Sequence, residues 1–343
     1  MSHSTESIYS RVRHSRTFAR AAVVAISAVT LGACASASAG SLPFPTLDRE
    51  TPDGAVSSHV VLVSVDGLRP DAIGEFRART LQRLMKEGTY TLSARTILPS
   101  KTLPSHTSML TGEDVDEHGI TWNTNQVGDH GHVEVPTIFD VAHERGFHTA
   151  AFFSKTKFEH LQREGTLDYT QAPSAGRIPW FGDKWDVSRT MGDVERYLGR
   201  STPNLLFVHI GEPDYAGHAH GWMSERYGKA VRAADDALAR LIRASDRAYG
   251  EGNWTLIVTA DHGGHGRNHG SSDPRDITIQ WIAWGKGVQP GGVQLADSVR
   301  TYDTASTVLW LLGLEEPSDW AGSAVTGAFA VVDTVSEAVV AAK

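Results

Sequence analysis

The 343-residue chain has a single cysteine, Cys34, which excludes an internal disulfide framework and any cysteine-rich zinc site. It has no basic block. Its 32 Lys and Arg stand against 40 Asp and Glu, a net charge of −8, and no stretch is built to track a phosphate backbone, which argues against a nucleic-acid-binding surface. The apolar run from Ala21 to Leu31 is too short to span a bilayer. No internal period marks a repeat architecture, and no segment reads as a docking element for a protein partner. What is present is ordinary globular composition, 40% hydrophobic and 21% charged, which excludes a disordered chain. At this length the core needs no metal or disulfide to hold it, so a bound metal would be there for chemistry.

The N-terminus reads as an export signal. Arg11, Arg13, Arg16 and Arg20 precede the apolar run, and Gly32, Ala33 and Cys34 follow it, in the order charged, apolar, small. Cys34 directly after Leu31, Gly32 and Ala33 resembles a bacterial lipobox, in which cleavage leaves the cysteine N-terminal and lipid-anchored. The alternative is a plain signal peptide cut within Ala35 to Ala39, with Cys34 discarded; the position of the only cysteine favours the lipobox. The expected organisation is a signal peptide over 1–33, a tether rich in Ser, Ala, Gly and Pro over 34–55, and one catalytic domain over 56–343. The first 33 residues carry four Arg and one Glu, so their removal deepens the net charge from −8 to −11. A body that acidic does not adhere electrostatically to anionic lipid, so the membrane partner is reached through the lipid on Cys34. The expected location is exported and anchored at a bacterial membrane, on its periplasmic or extracellular face.

Beyond the tether, short β-branched runs alternate with helical stretches, which predicts an α/β fold with a mostly parallel, buried sheet. Strands are expected at His59–Val65, His148–Phe153, Leu205–Ile210, Trp254–Ala260 and Thr278–Ala283. Helices are expected at Arg79–Glu87, Thr137–Arg145, Val187–Leu198, Ser224–Tyr249 and Asp303–Leu312. Ligands of open α/β sheets bind beyond the carboxyl ends of the strands, so the polar residues that end these runs matter most. They are Asp66, the Glu212-Pro213-Asp214 segment, and the Asp261-His262 pair.

Carboxylates and imidazoles suit zinc and related divalent ions, and a two-metal hydrolytic site draws several of them from separate strand ends. Asp66 precedes Gly67, and Asp261 and His262 precede Gly263 and Gly264, so backbone can approach a cofactor closely. In Asp214-Tyr-Ala-Gly-His218 the four-residue spacing puts carboxylate and imidazole on one face of a helical turn. His269 adds a further nitrogen. A lone Asp at a strand end is commonly a cap or turn residue, and most of the 16 histidines belong on the surface or in support; it is the joint pattern that points to metal.

Five ordered segments carry a family resemblance: Pro99 to His106, His118 to Asn123, Glu212 to His218, Ala260 to Gly263, and Asn268 to Gly270. Together they resemble the type I phosphodiesterase/nucleotide pyrophosphatase branch of the alkaline phosphatase superfamily, from about Val60 to about Leu314. The resemblance implies a three-layer, alkaline-phosphatase-like sandwich with a mostly parallel central sheet. It also implies two Zn²⁺, one held by Asp214, His218 and His269 and the other by Asp66, Asp261 and His262. Thr102 would be the nucleophile, held by the metal, and Asn123 a side-chain donor to the phosphoryl oxygens. Read from the residues alone, Thr102 is equally a helix N-cap and Asn123 a turn residue. His106, His118, His220 and His265 read as supporting or surface histidines, with His265 the rival to His269.

A threonine hydroxyl needs a base or a cation to act as a nucleophile near neutral pH, and no triad partner stands beside Thr102. The implied course is in-line attack by Thr102, with Asn123 and the backbone N–H groups of the following helix at the equatorial oxygens. The expected substrate is a small phosphoric ester, a diester or pyrophosphate. Where nucleotide-cleaving relatives place a base-stacking aromatic, this chain has Leu103. Lys155 and Lys157 resemble the lysines that monoesterase relatives set near the phosphoryl group, and read equally as an exposed loop; they keep a broad phosphomonoesterase as the alternative. Tyr215, with Trp122, Trp180 and Trp185, supplies aromatic surface for an organic group, and 173–186 reads as a rim loop. A non-catalytic surface lipoprotein is disfavoured because the ligand set is intact, and a sulfatase because no cysteine lies at the nucleophile region.

Overall fold

The computed structural model describes residues 52–173 and 186–330. The export signal, Cys34, most of the tether, Trp180, Trp185 and nearly all of the rim loop lie outside them. Among the described residues no helix is long and apolar enough to cross a membrane.

Among the described residues eight strands form one sheet: β1 (Val60–Val65), β2 (Thr89–Arg95), β3 (Thr149–Phe152), β4 (Tyr169–Gln171), β5 (Leu205–Ile210), β6 (Thr255–Thr259), β7 (Thr278–Gly285) and β8 (Val293–Gln294). Their order is β4-β3-β5-β1-β6-β7-β2-β8. Every pairing is parallel except the two made by β7, which runs against β6 and β2. The central strands β1, β5 and β6 are continuous apolar runs buried at every residue, as strands must be when helices cover both faces of a sheet.

Eight of the described helices fall into two groups. Thr102–Thr111, Ile138–Glu144 and Asp303–Leu311 pack together; Pro70–Glu75, Arg79–Glu87, Val187–Leu198, Glu212–His220 and Glu225–Tyr249 form the other set. With the sheet between them they make the three layers of an alkaline-phosphatase-like α/β fold. Local chemistry sets the ends. Thr137 accepts from the N–H groups of Phe139 and Asp140 while Asp140 accepts from the N–H of Thr137, a reciprocal cap. Ser224 caps the helix Glu225–Tyr249, and Gly250 ends it.

The strand order decides the site. β1 lies between β5 and β6, and β3 flanks β5, so parallel pairing delivers the residues after β1, β5, β6 and β3 to one edge of the sheet. Those residues are Asp66, Asp214, Asp261 with His262, and Lys155.

Candidate active site

Asp66 and Asp214 are joined through the backbone. The N–H of Asp66 donates to the carbonyl of Ile210 at 2.9 Å, and the N–H of Asp214 to the carbonyl of Asp66 at 3.0 Å. Gly67 lets them approach. Its φ is +69°, and a Cβ there would lie 2.9 Å from Asp214 Cα. The N–H of Gly67 donates to Asp261 Oδ1 at 3.0 Å, which ties the third carboxylate to the first.

The imidazoles arrive with their tautomers set. His262 Nδ1 lies 2.8 Å from the carbonyl of Gly263, His218 Nδ1 3.0 Å from that of Arg267, and His269 Nδ1 2.8 Å from that of Ser100. A carbonyl only accepts, so each Nδ1 carries the proton and each Nε2 turns a lone pair inward, the orientation that metal-ligating histidines take from such partners. Two of those lone pairs face each other, with His218 Nε2 and His269 Nε2 3.1 Å apart. His218 Nε2 lies 3.2 Å and His269 Nε2 3.7 Å from Asp214 Oδ1. His262 Nε2 lies 3.5 Å from Asp66 Oδ1 and 3.2 Å from Asp261 Oδ2.

These residues fit divalent cations. Asp214, His218 and His269 form one group whose donor atoms all lie within 4.8 Å of one another, and Asp66, Asp214 and His262 form a second. Asp66 Oδ1, Asp214 Oδ1 and Asp261 Oδ2 are buried and make no hydrogen bond, a costly state for carboxylate oxygens that a cation relieves. The expected partition is modified: Asp214 is common to both groups, and Asp261 adjoins the second through His262. His269, not His265, joins the cluster. His265 instead bonds Asp276 Oδ1 at 2.7 Å.

Lys155 Nζ donates to Asp66 Oδ2 and to Asp214 Oδ2, each at 2.6 Å. Burial opposes ionisation of both carboxylates, but the ammonium holds Asp66 and Asp214 well below the usual carboxylate range, and they raise Lys155 well above its ordinary value. Asp261 moves the other way, pushed up by burial and by the Asp66 charge. Burial lowers His262 and brings His269 to about 3, so both stay neutral, as ligation requires. The adjoining Asp214 carboxylate raises His218.

Thr102 is the first residue of its helix, with Lys101 at the cap position. Its hydroxyl therefore does not serve as the cap; it lies 3.4 Å from His262 Nε2. Asn123 takes over that end of the helix. Its Oδ1 accepts from the N–H of Leu103 at 2.9 Å and from Lys157 Nζ at 3.1 Å. Two expectations change as a result. The Leu103 N–H is engaged by Asn123 and is not presented to a phosphoryl oxygen. The Leu103 side chain is fully buried in the core, as is every residue of this helix, so it does not line a substrate surface. The exposed-loop reading of the lysines also fails: Lys155 is 6% exposed, and burial beside Lys155 lowers Lys157 to about 8. Lys155 contacts metal-type ligands in place of a substrate surface. Tyr215 supports it, with its ring centroid 5.1 Å from Nζ and its hydroxyl donating to the Ser154 carbonyl at 3.0 Å.

His209 was not singled out from the sequence. It lies in β5, with Nε2 2.9 Å from Asp66 Oδ2 and Nδ1 2.6 Å from Ser154 Oγ. The available signal was an imidazole interrupting the apolar run Leu205–Ile210. His106, read only as a supporting or surface residue, is fully buried, with Nδ1 2.7 Å from the Thr102 carbonyl and Nε2 2.8 Å from Ser64 Oγ.

The profile of the type I phosphodiesterase/nucleotide pyrophosphatase family matches residues 60–267. The chain belongs to that family. Curated proteins similar to it include GPI ethanolamine phosphate transferase 1 of Emericella nidulans, 24% identical over 342 residues, covering 82% of this chain and 35% of that protein. The bis(5'-adenosyl)-triphosphatase enpp4 of Xenopus laevis is 24% identical over 236 residues, covering 62% of this chain and 49% of that protein. The chain thus spans about a third to a half of the length of these curated relatives. Among solved structures, an inactive threonine-to-alanine variant of murine ectonucleotide pyrophosphatase/phosphodiesterase 5 in complex with AMP superposes with a TM-score of 0.65 at 17% identity, covering 79% of this chain and all of that one.

Proposed function

We propose that the protein is a two-metal hydrolase of phosphoric diesters or pyrophosphates that works through a phosphothreonine at Thr102. The observation that carries this reading is the convergence on one sheet edge of a helix-initiating threonine with three buried carboxylates and three imidazoles whose Nε2 lone pairs turn inward. Asp214, His218 and His269 would hold one Zn²⁺, and Asp66, Asp261 and His262 the other, with Asp214 within reach of both. Zinc bound there would lower the pKa of the attacking hydroxyl and neutralise charge on the leaving oxygen.

The chain's own residues do the rest. The helix start fixes Thr102 beside His262, and His106 pins the Thr102 carbonyl. Thr102 Oγ1 forms a bond to phosphorus as the ester bond to the leaving oxygen breaks, the threonine proton passing to solvent. Asn123, its oxygen occupied by Leu103 and Lys157, turns its amide N–H donors toward the phosphoryl oxygens. Water then attacks phosphorus in line and releases Thr102. Export and lipid anchoring through Cys34 remain part of this proposal, tested by the mass of the mature N-terminus.

The transferase names of the curated relatives favour a second outcome for the same intermediate, in which an alcohol replaces water. Incubation with an aryl phosphodiester and rising glycerol or ethanolamine separates the two. Hydrolysis yields free phosphate monoester regardless of the alcohol; transfer yields the alcohol's phosphoester. In either case Thr102→Ala is expected to lose at least a thousandfold in rate, and acid quenching of the wild type to trap phosphate on the peptide containing Thr102. Full activity in Thr102→Ala would refute the proposal.

A further inference from the structure

Lys155 brings an ammonium to the centre of the cluster, a placement that a metal-binding site does not require. Its ammonium sits on the Oδ2 atoms of Asp66 and Asp214 at 2.6 Å each. The Oδ1 atoms of the same two carboxylates make no hydrogen bond and face the Nε2 atoms of His262, His218 and His269. One positive charge therefore occupies half of each carboxylate, and the other half is aimed at the imidazoles. Asp66 and Asp214, the two carboxylates that meet Lys155, are at no more than 4% exposure. Such a group is unstable without an internal cation, because removing one partner from a buried ion pair leaves its charge uncompensated. The lysine stem leaves the end of β3, next to β5, and crosses the face of Tyr215. That ring offers the ammonium a second resting place if the carboxylates are taken over.

We propose that Lys155 is an exchangeable counter-ion: it holds Asp66 and Asp214 in register while no divalent ion is bound, and yields those carboxylates, remaining over Tyr215, when metal enters. The proposal rests on the reading of this cluster as a metal site. It gives Lys155 a cost as well as a use. The ammonium keeps the metal-free protein folded with its ligands gathered, and it competes with metal for the two carboxylates it holds.

The test is Lys155→Met in the full chain, with Lys155→Arg as the charge-retaining control. After chelation, Lys155→Met is expected to melt about 10 °C below wild type while Lys155→Arg stays within a few degrees. Titrated with Zn²⁺ alone against a competing chelator dye, Lys155→Met is expected to bind at least tenfold more tightly than wild type. A variant that melts like wild type when chelated, or that binds zinc no more tightly, overturns the proposal. So does a Lys155→Met protein that is unfolded even in excess zinc while Lys155→Arg is folded, since the ammonium would then be needed alongside metal. Unchanged zinc affinity with a raised KM for an aryl phosphate would reassign Lys155 to substrate binding. Failure of the wild type to bind zinc would instead sink the metal-site reading itself, so the two failures are distinct.

Discussion

Replacing Gly67 with alanine tests whether the backbone between β1 and Asp214 is as crowded as the geometry requires. Two costs add. Gly67 has φ +69°, where an L-residue is strained by about 1–2 kcal/mol. The new Cβ would also meet Asp214 Cα at 2.9 Å and its Cβ at 3.0 Å, well inside the roughly 3.5–4.0 Å at which carbon atoms rest; such overpacking costs about 1–3 kcal/mol. Stiffening the unfolded chain returns less than about 1 kcal/mol. The net loss is roughly 2–4 kcal/mol, within the range a domain survives. Gly252→Ala is the internal control, because φ there is +76° with nothing within 4 Å of the added carbon, so it carries the strain without the collision. Urea unfolding of the chelated proteins should place Gly67→Ala about 1–3 kcal/mol below Gly252→Ala. Relief of the collision moves Asp214, so zinc affinity should fall about 10- to 100-fold, the usual cost of disturbing a ligand's support, and remain unchanged in Gly252→Ala. Equal stability of the two variants, with unaltered zinc affinity in Gly67→Ala, would refute the reasoning.

Two further predictions concern the supports of the site. Asp276 is fully buried and holds the loop that carries His269, accepting from the Ser271 N–H at 3.1 Å and hydroxyl at 2.7 Å and from His265. Asp276→Asn should weaken zinc binding about tenfold while the melting point of the chelated protein moves by only a few degrees; a wild-type zinc isotherm would exclude the clasp. His118 accepts from the Ile120 N–H at Nδ1 and faces Ser108 Oγ with Nε2, and burial lowers its pKa to about 4. Below its unfolded value of 6.5 the unfolded chain takes up a proton that the folded chain refuses, so this contribution to stability is present above pH 6.5 and is lost as pH falls toward 4. Between pH 7 and pH 5 the loss is about 2 kcal/mol. In chelator, His118→Asn should show a shallower pH dependence of unfolding free energy by about that amount, and matching slopes for variant and wild type would contradict it.

The sheet core was legible because β1, β3, β5, β6 and β7 are apolar runs, and all five were placed to within about two residues at each end. β2 was not, since Thr89–Arg95 alternates buried and partly exposed positions and carries Thr, Tyr, Ser and Arg, and β4 and β8 are too short to leave a pattern. Helix ends followed caps that act within a few residues, such as Thr137 with Asp140 and Ser224 before Glu225. At the site, Asp66, Asp214, Asp261, His262 and His269 were visible as the polar residues that end or follow strands. His209 was hidden inside an apolar run, and Leu103 was misread because its helix is buried on every side by long-range packing.

The order of side chains along each segment therefore determined which chemistry the chain carries: carboxylates and imidazoles after strands, a threonine at a helix start, lysines after β3. Tertiary structure alone decided who meets whom. The placement of β1 between β5 and β6 makes Asp214 a neighbour of Asp66 and Asp261, and the placement of β3 against β5 brings Lys155 onto two carboxylates 89 and 59 residues away. A local run specifies where a strand ends, but its lateral neighbours depend on long-range pairing and on burial of both faces, and it is those neighbours that gather the charges into one centre.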